Sequence, residues 1–321
     1  MENKTLENLG EYDLGTLLRL DKLENGLINL TLKAETDLGK FIIQRLSPIW
    51  DERVISDYSE VQHHLRTNGL FVPVLLRTKS GKSFHTIDDK IWRVYEYVPN
   101  DLVITPTPQI AYESGKMLGR FHNLMSTSSF RPKFKLKDFH NTPKIIDRLS
   151  ENFKNPEYRE KASSVSQEYE LITQNIREHY LSQNANQIVI HGDPKLNNFL
   201  FKDERAIGML DLDTMMHASP LLDLGDGLRS WCRKKPSTSE FLPEIFESAV
   251  EGYFSTAPFQ YCFQGVKNAM GLLTLELSSR YLNDYFEESY FPLNKEKYSS
   301  KAEQNLTRAK RYLDYYKNFN T

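Results

Sequence analysis

One stretch, Ile190-His-Gly-Asp-Pro-Lys-Leu-Asn-Asn198, constrains this chain more than any other, together with Leu210-Asp-Leu-Asp213, whose Asp211 lies thirteen residues after Asn198. Short apolar segments at 187–190, 199–201 and 207–210 read as strands, so the motif is a loop and Asp211 ends a hairpin strand. With this chain's residue frequencies, H-G-D-x4-N arises by chance in roughly one such sequence in a thousand. The bland alternative is an Asp-capped turn between two strands. Phosphoryl transfer needs a carboxylate to orient the acceptor hydroxyl and hard oxygens to hold Mg²⁺ against the phosphates of a donor such as ATP. Asp193 suits the first task. Asn198 offers a neutral amide oxygen to the metal, and Asp211 a bridging carboxylate from the facing side. His191 is expected to be buried and to brace the loop. Asp213 is either an extra ligand or structural. Asp223 is expected to accept hydrogen bonds from backbone amides of the loop.

The rest of the chain divides by period. Between Asn25 and Val98 the pattern is β-like: 26–32, a turn at Asp37-Leu-Gly39, then 41–45, 72–77, 83–87 and 91–98, with one helix over 51–67 inserted after the second strand. Pro99, Pro106 and Pro108 mark a linker. Helical spacing follows over 110–125, 156–181, 239–255, 259–285 and 299–317. A β-rich lobe over 1–98 hinged to a helical lobe over 99–321 is expected, in line with 321 residues being too many for one core. With 41 basic and 43 acidic residues, the chain has no bulk attraction for nucleic acid or an anionic membrane. The absence of a long apolar run and of a leader-like start predicts a cytoplasmic protein, with Cys232 and Cys262 as buried or half-buried thiols. The oligomeric state is not legible.

Further segments keep a familiar order. Phe41–Arg45 looks like a strand presenting a basic residue to phosphates, Tyr95-Glu-Tyr-Val-Pro99 like an adenine-binding hinge, and Leu118-Gly-Arg-Phe-His122 like the first large-lobe helix. With the Asp193 and Asp211 loops, these make the chain similar to the aminoglycoside phosphotransferase and choline kinase family. The resemblance implies an α+β, protein-kinase-like fold with a small antiparallel sheet lobe. It also implies ATP and Mg²⁺ as cofactors, and a small-molecule hydroxyl compound as substrate. Arg45 then meets the α- and β-phosphates with Glu60 as its orienting partner, and the 96–98 backbone, with Glu96 and Val98, faces the adenine. On charge alone Arg45 pairs either with phosphate or with an acid of the following helix, Glu60 or Asp57. A narrower resemblance, through 210–214, 223–229, 273–286 and Tyr290-Phe291, is to the N-acetylhexosamine 1-kinases, which implies a sugar acceptor.

For the acceptor, Asp226 with Arg229 and Glu276 with Arg280 are either intrahelical ion pairs or the grips of a substrate pocket, and the narrower resemblance points to Arg280. Tyr281, Tyr285 and Tyr290 read as packing aromatics. The rival functions are a choline, amino-alcohol or aminoglycoside kinase, and a catalytically silent nucleotide-binding protein. Ser80-Gly-Lys-Ser83 is a turn rather than a phosphate loop, because Leu76 stands where the first glycine belongs. Gly225-Asp-Gly227 lacks the spacing of a dinucleotide site. Without a glycine-rich loop, any cover of the phosphates by the Asn25–Asn29 turn rests on backbone amides.

Overall fold

The computed structural model describes residues 10–23, 28–103, 105–181, 186–235 and 237–320. Five strands form one antiparallel sheet: β1 (Leu17–Leu23), β2 (Leu30–Thr36), β3 (Gly39–Arg45), β4 (His85–Ile87) and β5 (Lys90–Glu96), in the order β1-β2-β3-β5-β4. The predicted turn at Asp37 joins β2 to β3, with Thr36 opposite Gly39. Helix α1 (Glu52–Thr67) begins at Asp51, whose side chain accepts from the Arg53 amide, and buries Val54, Ile55, Tyr58, Val61 and Leu65. It follows the third strand rather than the second, because β1 was not expected. The segment 72–77 is not a regular strand. It touches β5 through the Leu75–Tyr95 bridge and the Leu76 amide on the Val94 carbonyl, and Pro73 has no amide to extend the ladder. Residues 24–27, most of the expected phosphate-covering turn, lie outside the described residues.

Strand alternation gives the sheet two faces. Ile43, Trp92 and Val94 pack with Leu32, Ala34, Tyr12 and Leu14 on the outer one. Ile42 and Tyr95 turn inward to α1 and the main core.

The remaining chain is mostly helical: α2 (Pro108–Ser126), α3 (Thr142–Lys154), α4 (Arg159–Ser164), α5 (Ser166–Asn175), α6 (Pro220–Trp231), α7 (Pro243–Phe254), α8 (Phe263–Glu287) and α9 (Lys301–Asn320). The single helix expected over 156–181 is broken into short pieces around Val165, where Ser164 Oγ donates to the Lys161 carbonyl and competes with helix continuation. Two small ladders sit among the helices: β6 (Ile188–Ile190) with β9 (Met216–Ala218), and β7 (Phe199–Lys202) with β8 (Arg205–Met209). Cys232 is buried, but Cys262 is exposed at the start of α8, where its Sγ accepts from the Gly265 amide. No helix among the described residues is long and apolar enough to cross a membrane.

Candidate active site

The loop after β6 is held by the first turn of α6. Asp223, fully buried, accepts from the His191 amide at 2.6 Å, the Gly192 amide at 2.7 Å and His122 Nε2 at 3.0 Å. Burial would raise its pKa, but these donors, His122 first, hold it below the ordinary carboxylate value. This is the backbone-binding duty expected of Asp223. His191 is buried as expected. Its Nε2 donates to the Leu210 carbonyl at 2.8 Å while Nδ1 accepts from the Asp193 amide at 3.3 Å, so the imidazole ties the loop to the segment bearing Asp211. Gly192 has φ +86°, and a Cβ there would lie 2.3 Å from the Thr214 carbonyl oxygen, so only glycine fits.

Asp193 projects from this brace half-buried. Its Oδ2 accepts from Lys195 Nζ at 2.5 Å and from Asn198 Nδ2 at 3.3 Å, and Asn198 Nδ2 also donates to the Asp193 carbonyl at 2.7 Å. No donor among the described residues is recorded on Oδ1. Burial alone would lower the Lys195 pKa, but Asp193 and then Asp211 outweigh it and the net shift is upward.

Across the loop, Asn198 and Asp211 meet the needs of a hard cation. Asn198 is buried with its amide nitrogen committed to Asp193, which leaves Oδ1 as the available ligand atom. Asp211 is exposed, and no side-chain hydrogen bond to it is recorded among the described residues. The crowding protein, then the Asp213 charge, push its pKa up to about 6, with Asp193 adding and Lys195 and Arg93 opposing. A carboxylate left uncompensated among carboxylates is what a divalent ion stabilises. Among the described residues no three His, Cys, Asp or Glu side chains form a metal cage of their own. Asp213 is not part of that donor set. It lies in the Leu212–Thr214 turn rather than in a strand, and both its oxygens are taken by Arg93, at 2.8 and 2.5 Å.

The sheet places its expected residues differently. Arg45 stands opposite Trp92 with its guanidinium 5.9 Å from the indole, on the outer face, while Gln44, like Ile42, is on the inner face and meets Arg93. The pairing of Arg45 with Glu60 is not seen: Glu60 is exposed and accepts from Lys133 Nζ at 3.2 Å. Asp57, the other acid considered, is buried and caps the Lys133 and Phe134 amides. Glu96 Oε1 accepts from the Val74 amide and Arg66, fixing the segment before half-buried Val98. Alternation along 41–45 was the signal for Gln44, because Arg45 shares the face of Phe41 and Ile43.

On the far side of Asp193, Asp226 and Arg229 form a buried ion pair within α6 at 2.6 Å, and Arg229 Nη1 donates to Tyr312 OH at 3.2 Å. Burial opposes the charge on Arg229, but Asp226 more than compensates and its pKa rises. Glu276 and Arg280 do not pair. Glu276 accepts from His140 Nδ1 at 2.8 Å and from the Thr142 hydroxyl, and His140 Nε2 donates to the Gly192 carbonyl at 3.0 Å. Arg280, half-buried, lies against the rings of Phe139, Tyr290 and Phe291 with Tyr290 OH at 3.4 Å, and no ion pair is recorded for it among the described residues. Tyr281 and Tyr285 pack as expected, Tyr281 stacked with Tyr312 at 5.8 Å, whereas Tyr290 is exposed. Sequence reasoning missed His140, Thr142, Tyr312 and Arg93. Only Arg93, a charge in an apolar strand, carried a local signal.

Comparison with known proteins agrees with this fold. A homoserine kinase of Gluconobacter oxydans is 22% identical over 268 residues, 79% of each chain. An amicoumacin kinase solved with AMP-PNP and Ca²⁺ superposes with a TM-score of 0.69 at 18% identity, covering 98% of this chain and 93% of the other. A microcompartment-associated aminopropanol kinase gives 0.69 at 16%, covering 98% and 95%. The sequence pattern of the phosphotransferase enzyme family, the aminoglycoside phosphotransferase group, matches residues 19–259, and with the five-stranded antiparallel sheet set on a helical lobe the chain belongs to that family of small-molecule kinases.

Proposed function

We propose that this kinase moves the γ-phosphoryl group of ATP to a hydroxyl that Asp193 orients and deprotonates. The convergence of Asp193, Asn198 and Asp211 on two loops pinned to each other by His191 supports this reading. Asp193 Oδ2 is held by Lys195, so Oδ1 is the atom to receive the hydroxyl proton, late in a loose transition state where the base acts mainly through position. Asn198 Oδ1 and the Asp211 carboxylate would hold Mg²⁺, which when bound neutralises charge on the transferring phosphate. Residues 1–98 serve as the nucleotide lobe, with the 96–98 backbone on the adenine edge, and 99–321 as the catalytic lobe. With Arg45 and Glu60 turned away, the phosphates fall to other groups. A cytoplasmic setting, where the triphosphate donor is available, goes with this assignment.

For the acceptor, Arg280 is the group that decides. Both oxygens of Glu276 are taken, by His140 and Thr142, and Asp226 is already charge-balanced by Arg229 on Oδ1, which disfavours the cationic head groups of choline and aminoglycosides. A guanidinium that makes no direct ion pair among the described residues grips an oxygen acceptor, foremost a carboxylate. A homoserine-like hydroxy amino acid is the first reading, and the relatives named homoserine kinase support it. An N-acetylhexosamine, with its amide and hydroxyl oxygens, is the second, supported by the likeness of 273–286 to such kinases. A screen of Mg²⁺-dependent ATP consumption over homoserine, N-acetylhexosamines, aminopropanol, choline and aminoglycosides tests it. Turnover confined to the cationic acceptors would overturn the reading of Arg280.

A further inference from the structure

Arg93 takes no part in the roles assigned above. It leaves β5 on the inner face, 1% exposed, and its fork fills both oxygens of Asp213, itself 1% exposed in its side chain. Nε and Nη2 also donate to Gln44 Oε1 at 3.1 and 2.8 Å, and Gln44 Nε2 donates to Thr31 Oγ1 at 3.2 Å. The guanidinium lies 5.0 Å from the Tyr95 ring. One side chain thus joins three strands of the sheet to a residue 120 positions along the chain.

Asp213 belongs to a three-residue turn that starts from Asp211, itself held at φ 59° and ψ 57°. The other end of that turn is pinned to the Asp193 loop, where Thr214 Oγ1 donates to the His191 carbonyl at 2.9 Å. A turn this short has no slack, so holding Asp213 from the sheet and Thr214 from the loop fixes the direction of the Asp211 carboxylate. Stability alone is a weak reason for such a pair, because buried ion pairs are often matched by apolar side chains of the same volume. Nor is the cation free for phosphate, since its fork is already filled. We infer that Arg93 is a positioning residue that, through Asp213, sets the Asp211 carboxylate beneath the sheet for the nucleotide-bound metal. The inference rests on the proposed role of Asp211.

The test replaces both charges at once, Arg93→Met with Asp213→Leu, and follows unfolding temperature, kcat, acceptor KM and half-saturating Mg²⁺. The double variant should unfold near the wild-type temperature with acceptor KM within about twofold, while kcat falls roughly 30-fold and half-saturating Mg²⁺ rises about tenfold. Arg93→Lys, which keeps the charge but not the fork, should recover only part of both losses. A double variant with wild-type kcat and Mg²⁺ demand overturns the inference, as does a loss confined to acceptor KM. Should the double variant not fold, Arg93→Lys decides: folded and fully active, it shows that the fork positions nothing. Asp211→Asn separates the two levels. If it is inactive while the double variant works normally, only the inference about Arg93 falls; if it keeps wild-type turnover and Mg²⁺ demand, the metal assignment falls and takes the inference with it.

Discussion

Asp193 is held by Lys195 and Asn198 on one oxygen, and that asymmetry sets what its removal should do. Asp193→Asn preserves shape and nucleotide binding but cannot accept the hydroxyl proton, so kcat should drop by about 10² to 10⁴. A kcat assay beside a nucleotide titration checks this; lost nucleotide binding would instead make Asp193 a metal ligand. The His140–Glu276 pair predicts a pH effect. Burial pulls His140 down, but Glu276 and Asp226 reverse this and leave it above 6.5, while His140 and Thr142 outweigh burial and hold Glu276 below 4.5. A raised histidine contributes stability that is full below pH 6.5 and fades as pH rises through its folded value. A depressed glutamate contributes above pH 4.5 and fades as pH falls through its own. Stability should therefore be greatest between those values and decline on the alkaline side. Glu276→Gln should remove that decline in urea unfolding run from about pH 5.5 to 8.5; an unchanged slope would place its source elsewhere.

Among the elements, α2 and α7 meet most closely, through glycine on both sides. A Cβ on Gly115 would lie 2.0 Å from the Ala249 carbonyl oxygen, and one on Gly252 would lie 2.0 Å from that of Tyr112. Backbone cannot give way as a side chain can. Gly115→Ala should therefore cost about 1 to 3 kcal/mol through forced separation, more than the roughly 1 kcal/mol gained in helix propensity. Denaturant midpoints measure it, with Gly265→Ala, whose Cβ would meet only Cys262 Sγ at 3.4 Å, as the near-neutral control. Elements of this kind were legible where burial imposes a period. Helix α1 shows its apolar stripe in the sequence itself. Strand β1 does not, since it is nowhere fully buried and carries Arg19, Asp21 and Lys22. Helix α3 buries only Thr142, Ile146 and Leu149 and was equally silent. The loop over 190–198 was readable because the chemistry proposed for it needs fixed residue types in a short span. The proposed acceptor side was not, because His140 meets Glu276, and Tyr312 meets Arg229, only through tertiary packing.

At the scale of the whole molecule, the sheet brings Arg93, Gln44 and the 96–98 segment to one side of the site, and the loops after β6 and β8 bring Asp193, Asn198 and Asp211 to the other. On the proposed reading a nucleotide seats between them, contacts both and stabilises only the folded arrangement. At a hundredfold excess over Kd such a ligand adds about 2.7 kcal/mol, which for a chain of this size raises Tm by roughly 5 °C. A non-hydrolysable ATP analogue with Mg²⁺ should give that rise, and the analogue without Mg²⁺ a smaller one. Asp211→Asn should keep the smaller rise and lose the increment due to the metal, because its amide cannot balance a divalent charge. Mg²⁺ alone should do little, since Asn198 and Asp211 supply only two of the oxygens it requires. The acceptor should add a further increment, which Arg280→Ala abolishes while leaving the nucleotide shift intact. If Mg²⁺ without nucleotide raised Tm as much as the complete mixture, the cation would have its own site and the shared-metal reading would be wrong.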